Sequence, residues 1–415
     1  MAAAWPRRSD VCKDNMNPHS IHRYVCVLAA IALLGGCSTI PRIPVPAEFA
    51  DSAHALDPKT RVRWWGDVSP PNINVVAKER YRQIKTTRPA MVREGASPVV
   101  SYLAISGGGA DGAYGAGLLV GWSASGRRPE FEFVTGVSTG ALAAPFAFLG
   151  PKYDPQLREI YTRYSTRDLL RKQPIRGLLG GESLADSTPL QQMIARYVDD
   201  AFIKEIAAQH RRGRRLLVGT TNIDAQRAVV WNMGKIAASG HPAALDLFRK
   251  VLLASASIPG AFPPVRITVE VENSTAEEQH VDGGTTRQVF LFPGQLNYKT
   301  RIDPKYQVNG RRRLYIIRNG RINPEYKVVE SNTFSIAQRS ISTLIKTQGI
   351  GDLHQIHELT QLNDIAYNLA FIPGDFPDTS KEPFDLEYMN ALFDLGYQKG
   401  KEGYRWAQLP PGLDQ

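Results

Sequence analysis

Cysteine, histidine and long apolar runs are scarce in this chain, and each scarcity removes a class of function. Its 415 residues hold three cysteines, Cys12, Cys26 and Cys37, all near the N-terminus. From Ser38 onward no disulfide and no thiolate metal site is possible, so stability must come from a buried core. The acids are scattered, and neither an H-E-x-x-H nor a Ca²⁺-loop pattern occurs, so no metal and no cofactor is expected. Tyr24 to Leu34 is uncharged and apolar, but it falls short of the roughly 20 residues a membrane-spanning helix needs. The formal charge is +10, yet no base-stacking motif accompanies it, and nucleic acid is not expected as a partner. Internal repeats and low-complexity tracts are also missing.

Residues 1–36 read as a targeting segment, with Arg7, Arg8, Lys13 and Arg23 ahead of the apolar run Tyr24–Leu34. The run ends in Leu34-Gly35-Gly36-Cys37, which resembles the lipobox of bacterial lipoproteins. That resemblance implies diacylation of Cys37, which becomes the mature N-terminus and anchors the protein to a membrane of the cell envelope. Ser38, where Asp is absent, resembles lipoproteins sorted to the outer membrane. An ordinary signal peptide with an incidental cysteine is the competing reading. Residues 37–97 are rich in proline (Pro41, Pro44, Pro46, Pro58, Pro70, Pro71) and read as a tether and N-terminal arm. Within the arm, Arg61-Val62-Arg63-Trp64-Trp65 suits packing onto the main domain better than a place among lipid headgroups.

Residues 98–408 alternate between strand and helix patterns. Strands are expected at Val99–Ile105, Phe131–Val134, Leu216–Thr220, Ala228–Trp231 and Leu314–Ile317. Helices are expected at Gly112–Trp122, Ala141–Leu149, Pro242–Ala254, Thr333–Asn368 (with a possible break at Gly349–Gly351) and Leu386–Trp406. This alternation argues for an α/β domain, a three-layer sandwich with a central, mostly parallel sheet and helices on both faces.

Two glycine motifs carry the chemistry. Gly107-Gly108-Gly109-Ala110-Asp111-Gly112 follows the first strand, and Gly136-Val137-Ser138-Thr139-Gly140 follows the second. A G-x-S-x-G on a sharp strand-to-helix turn exposes its serine hydroxyl, and a glycine turn leaves backbone N–H groups free to face an oxyanion. Ser138 is thus a candidate nucleophile that needs a base. His54, His210, His241, His280, His354 and His357 follow Cys37, and none sits in a glycine-flanked loop. Asp282, in His280-Val281-Asp282-Gly283-Gly284, is the other candidate, although Asp-Gly-Gly is also an ordinary turn.

The order glycine loop, G-x-S-x-G, then D-G-G resembles the patatin-like phospholipase family. Ala254-Ser255-Ala256-Ser257-Ile258-Pro259-Gly260-Ala261-Phe262-Pro263-Pro264 is similar to the family's A-S-x-A-x-P-x-x-F-P-P block. Thr221-Asn222-Ile223-Asp224 with Val229-Val230-Trp231 is similar to the strand pair before that block. The resemblance spans roughly Val99 to Gly284 and implies a lipid acyl hydrolase with a catalytic dyad, Ser138 and Asp282, and no histidine. It also implies an oxyanion hole at Gly107, Gly108 and Gly109, a nucleophile elbow between Gly136 and Gly140, and membrane lipid or another acyl ester as substrate. Such a dyad has to be desolvated, which implies an apolar pocket.

One position departs from the family pattern: Asp111 stands where the loop usually carries Arg or Lys. The side chain is expected to face away from the oxyanion. Two other readings fit the same residues. An α/β-hydrolase triad would take Ser138, Asp282 and His354 or His357, although the serine follows only the second strand, where that fold places several upstream. A non-catalytic lipoprotein would keep the fold and bind lipid or an envelope partner, and Asp111 alone favours it. The basic clusters Arg211–Arg215 and Arg311–Arg313 read as solvated turns ahead of strands.

Overall fold

The computed structural model describes residues 42–70, 73–93, 95–172, 182–272, 274–292 and 310–413. The 1–36 targeting segment and Cys37 lie outside the described residues. A nine-stranded sheet organises the chain. Its centre is five parallel strands: β2 (Val99–Ile105), β3 (Phe131–Val137), β4 (Arg215–Asn222), β8 (Arg311–Arg318) and β9 (Ile365–Phe371). They lie in the order β4-β3-β2-β8-β9. On the β4 side, β5 (Arg227–Asn232) pairs antiparallel, and the arm strand β1 (Arg63–Trp65) closes that edge. The hairpin β6 (Val265–Val271) and β7 (Ser274–Asp282) joins through β7, antiparallel to β4.

Alternation along β2 shows how the sequence covers both faces. Leu103 and Ile105 join the larger core, while Val100, Tyr102 and Ala104 join a second core on the opposite face. The larger core is closed by α2 (Gly112–Ala124), α3 (Thr139–Leu149), α7 (Ala244–Ser255) and α9 (Leu386–Glu402), with α4 (Asp154–Thr162), α5 (Thr188–Tyr197) and α6 (Asp200–Arg211) outside them. The opposite face carries the C-terminal half of α8 (Thr333–Leu362), while Arg80 of α1 (Ile73–Thr87) lies over Phe133. Helices on both faces of a mostly parallel sheet make the α/β sandwich expected from the alternation.

Three expectations need correction. The helix read through Asn368 stops at Leu362, runs unbroken past Gly349–Gly351, and gives way to β9. Asp364 turns at a φ of 52°, and Ile365, Tyr367 and Leu369 alternate inward in the period-2 pattern of a strand. The last helix ends at Glu402, stopped by Gly403 at a φ of 106°. The basic clusters are not solvated throughout: Arg214, Arg215 and Arg312 are buried, and Arg214 donates to the carbonyls of Phe131 and Phe148. A guanidinium can satisfy several buried carbonyls at a strand entry, which a charge count does not reveal.

Candidate active site

The C-terminal edge of the parallel strands brings the expected residues together. β3 runs into Ser138 and α3 begins at Thr139, so the serine occupies the junction at a φ of 55° and ψ of −128°. A non-glycine residue there is strained, and close packing holds it. A Cβ on Gly136 would stand 2.5 Å from the Gly140 carbonyl, and one on Gly140 would stand 2.4 Å from the Ile105 carbonyl. Both elbow glycines are therefore steric necessities. The Ser138 amide donates to Ser255 Oγ, which donates to the Gly219 carbonyl, tying the elbow to β4 and α7.

Asp282 ends β7, and its pairing with Thr220 of β4 delivers it to the same edge. Ser138 Oγ donates to Asp282 Oδ2 over 2.6 Å, and the Gly284 amide donates to Oδ1 over 2.7 Å. Both side chains are buried. Burial pushes the Asp282 carboxyl up to about 7, although the hydrogen bonds from Ser138 and Gly284 pull the other way. This places its titration near neutral pH, suited to a general base.

The glycine loop lies against the serine, with one difference from expectation. The Gly107 amide donates to the Gln288 carbonyl over 3.0 Å, so it is not available to an oxyanion. Gly107 serves as a wall, since a Cβ there would sit 3.1 Å from Ser138 Cβ. Among the described residues the amides of Gly108 and Gly109 donate to nothing, and both glycines have positive φ, 155° and 57°. The loop's shape depends on Asn319, just after β8, a residue that sequence reading missed. Asn319 donates through its amide to Ser106 Oγ and through Nδ2 to the Ser106 carbonyl, and its Oδ1 accepts from the Gly115 amide. An asparagine beside no motif gives no local signal, because its partners lie some two hundred positions away.

Asp111 accepts from the Tyr388 hydroxyl at 2.7 Å and does not line the cleft around Ser138. Burial pushes its carboxyl up to about 6, against the Tyr388 hydrogen bond and the charges of Arg321 and Arg318. The acid thus stands opposite two arginines of the neighbouring segment. The cleft itself, about 510 Å³ including its mouth, is lined by Leu142, Ile160, Leu190, Ile258, Phe262 and Met389 among others.

His280, His354 and His357 are engaged elsewhere. His280 contacts Thr220 Oγ1 through Nδ1 and Glu278 through Nε2, and Glu278 in turn accepts two hydrogen bonds from Arg63 of the arm. His354 Nε2 contacts the Pro411 carbonyl, and His357 packs edge-on against Tyr367. Among the described residues no cluster of His, Cys, Asp and Glu could hold a metal ion. The paired tryptophans of the arm are half-buried, and Trp65 lies under Arg227.

Residues 103–292 match the family model of patatin-like phospholipase. No curated protein matches the chain significantly. Among solved structures, VipD from Legionella pneumophila is similar at 11% identity and a TM-score of 0.34, over 74% of this chain and 67% of that one. Human GIVD cytosolic phospholipase A2 is similar at 10% identity and a TM-score of 0.33, over 82% and 67%. The type III effector protein ExoU is similar at 11% identity and a TM-score of 0.25, over 74% and 54%. Residues 103–292 are thus the part of the chain that is similar to a patatin-like phospholipase domain.

Proposed function

We propose that this protein hydrolyses acyl esters of membrane lipids through a Ser138–Asp282 dyad. The observation that carries this reading is the 2.6 Å hydrogen bond from a strained, buried serine hydroxyl to a buried carboxylate. Ser138 Oγ attacks the ester carbonyl carbon as its proton passes to Asp282 Oδ2. The negative charge gathering on the carbonyl oxygen is met by the free amides of Gly108 and Gly109, each such donor being worth about 2.7–4 kcal/mol in a comparable hydrolase. The tetrahedral adduct collapses, and the departing alkoxide takes the proton from Asp282, which leaves an acyl-serine. Water then attacks that ester, gives its proton to Asp282, and releases the fatty acid as Ser138 recovers its hydrogen. An apolar cleft keeps this exchange dry and suits an acyl chain.

The proposal includes lipidation at Cys37 and attachment to the bacterial cell envelope, at the outer membrane, where lipid esters are the nearest substrate. Labelling with a fluorophosphonate probe, alongside phospholipid hydrolysis, tests the chemistry. Wild-type protein reacts with the probe, Ser138→Ala does not, and Asp282→Asn loses hydrolysis by a factor of 10² or more, the size of a general-base contribution. An active Asp282→Asn protein would sink the dyad, and histidine would then have to supply the base.

A further inference from the structure

Among the described residues, the N-terminal half of α8 is exposed over most of its surface and meets the chain at Asn323 and Glu325. Its C-terminal half is anchored: Asn363 lies beside Arg312 at the start of β8, Leu353 and Ile356 pack in the second core, and Gly349 touches the Arg318 side chain at the end of β8. The helix therefore runs antiparallel to β8, and residues 333–348 overhang the C-terminal edge of the sheet by about 24 Å at 1.5 Å per residue. Ser138, the glycine loop and Asn319 occupy that same edge. On the overhang, Leu344 is 70% and Ile341 57% exposed, with Ile336 and Ile345 also uncovered. The segment rising beside it adds Tyr326 and Val328, 96% and 78% exposed, on either side of Lys327.

Charge separates the possible occupants of this surface. From Thr333 to Gly351 the only charged residues are Arg339 and Lys346. Lys346 pairs with Glu325 at 2.8 Å, which holds the rising segment against the helix and leaves the apolar side outward. From Glu325 to Lys346 the cations Lys327, Arg339 and Lys346 outnumber the acids Glu325 and Glu330, and an apolar stripe with this cationic excess suits an anionic lipid surface.

The chain's entry point agrees. Arg42, the first described residue, grips Asp224 through two hydrogen bonds of 2.6 and 2.7 Å. Asp224 lies in the turn just past the end of β4, on the same sheet edge, and the neighbouring Ile43 is 69% exposed. Cys37 stands five residues before Arg42, no more than about 18 Å of extended chain. The lipid proposed on Cys37 would draw this edge, and not the opposite one, to the membrane.

We infer that the overhanging half of α8, with Tyr326 and Val328, is a docking element that seats the active-site edge on an anionic lipid surface; this rests on the hydrolase reading for its purpose. The test uses the full chain with Cys12, Cys26 and Cys37 replaced by Ser, which removes the proposed anchor and leaves one introduced thiol for a polarity-sensitive fluorophore. Label at Leu344→Cys is expected to shift to shorter wavelength on vesicles of phosphatidylcholine with phosphatidylglycerol. Label at Arg211→Cys, at the opposite sheet edge, is not.

In the wild-type background, Ile341→Asp/Leu344→Asp is expected to cut phospholipid hydrolysis on those vesicles by about 100-fold, each buried aliphatic side chain being worth a factor of ten or more. Hydrolysis of a short, water-soluble ester stays unchanged, which also reports an intact fold. No shift at Leu344→Cys overturns the docking element, whatever the esterase result. A shift without any hydrolysis that depends on Ser138 keeps the docking and removes the hydrolase. A dimer that the double Asp variant dissolves, with no shift on vesicles, assigns the face to a second copy and overturns the inference.

Discussion

Asp282 is kept in a state that a solvated carboxyl does not reach. Burial raises it to about 7 even though two donors favour its charge. The base has to be ionised to accept the Ser138 proton, so the direction of its pH dependence follows. Below about pH 7 the protonated fraction grows, and kcat/KM for ester hydrolysis is expected to fall about tenfold per pH unit. A stopped or discontinuous assay from pH 5 to 9 checks this. An acid limb near pH 4 would mean that Asp282 is not the titrating base. Asp111 shows how one residue's meaning depends on distant partners. Beside Tyr388, Arg321 and Arg318 it balances charge, and its carboxyl turns away from the cleft, as expected. The basic residue common to the family loop would here be a third cation beside two arginines.

Between elements, the closest contact is α2 against α9, and glycine makes it possible. A Cβ on Gly117 would stand 2.0 Å from the Phe393 carbonyl, and one on Gly121 would stand 2.0 Å from the Tyr397 carbonyl. Gly396 and Gly400 of α9 meet α2 in the same way. The sequence shows a helix with small residues at Gly112–Trp122, and the partner that needs them is visible only in the fold. Gly117→Ala is expected to force the helices apart and cost about 1–3 kcal/mol, read as a lower Tm. Gly351→Ala is the control. It lies inside α8 with nothing within 4 Å, so alanine there should raise stability by about 0.5–1 kcal/mol. Equal effects at the two sites would mean that helix propensity, and not packing, sets the first. The same close approach works at the elbow, where Gly140 lets α3 start directly against the end of β2.

For the whole molecule, the dyad is a source of instability as well as function. Asp282 has a folded pKa above its unfolded value near 3.8. Its linked contribution is therefore fully present below about pH 4 and is lost as pH rises through about 7. Asp282→Asn removes that loss while an amide can still accept from Gly284 and donate to Ser138. The variant is expected to melt higher than wild type at pH 8, and the difference should close as pH falls towards 4. A lower Tm at pH 8 would contradict the buried, near-neutral carboxyl. The net positive charge is also less available outside than the composition suggests. Arg128, Arg214, Arg215, Arg312 and Arg318 are buried or nearly so, and Arg128 pairs with Asp154 at 2.8 Å.

What the sequence determined by itself was local: the five expected strands, the glycine loop, the elbow serine and the Asp-Gly-Gly turn. Each rests on short-range physics, either a period of two along a strand or a backbone angle that only certain residues accept. The β6–β7 hairpin went unread, as did β9, which continues a helical pattern with too short a break to register. Tertiary structure alone decided which donors remain free. The Gly107 amide is taken by Gln288, and Asn319 holds the loop. It also decided that Arg214 and Arg215 lie inside and that half of α8 overhangs the active edge. Hydrogen bonds and close packing between residues far apart in the chain leave no periodic trace, because the chain must first close the loop between them.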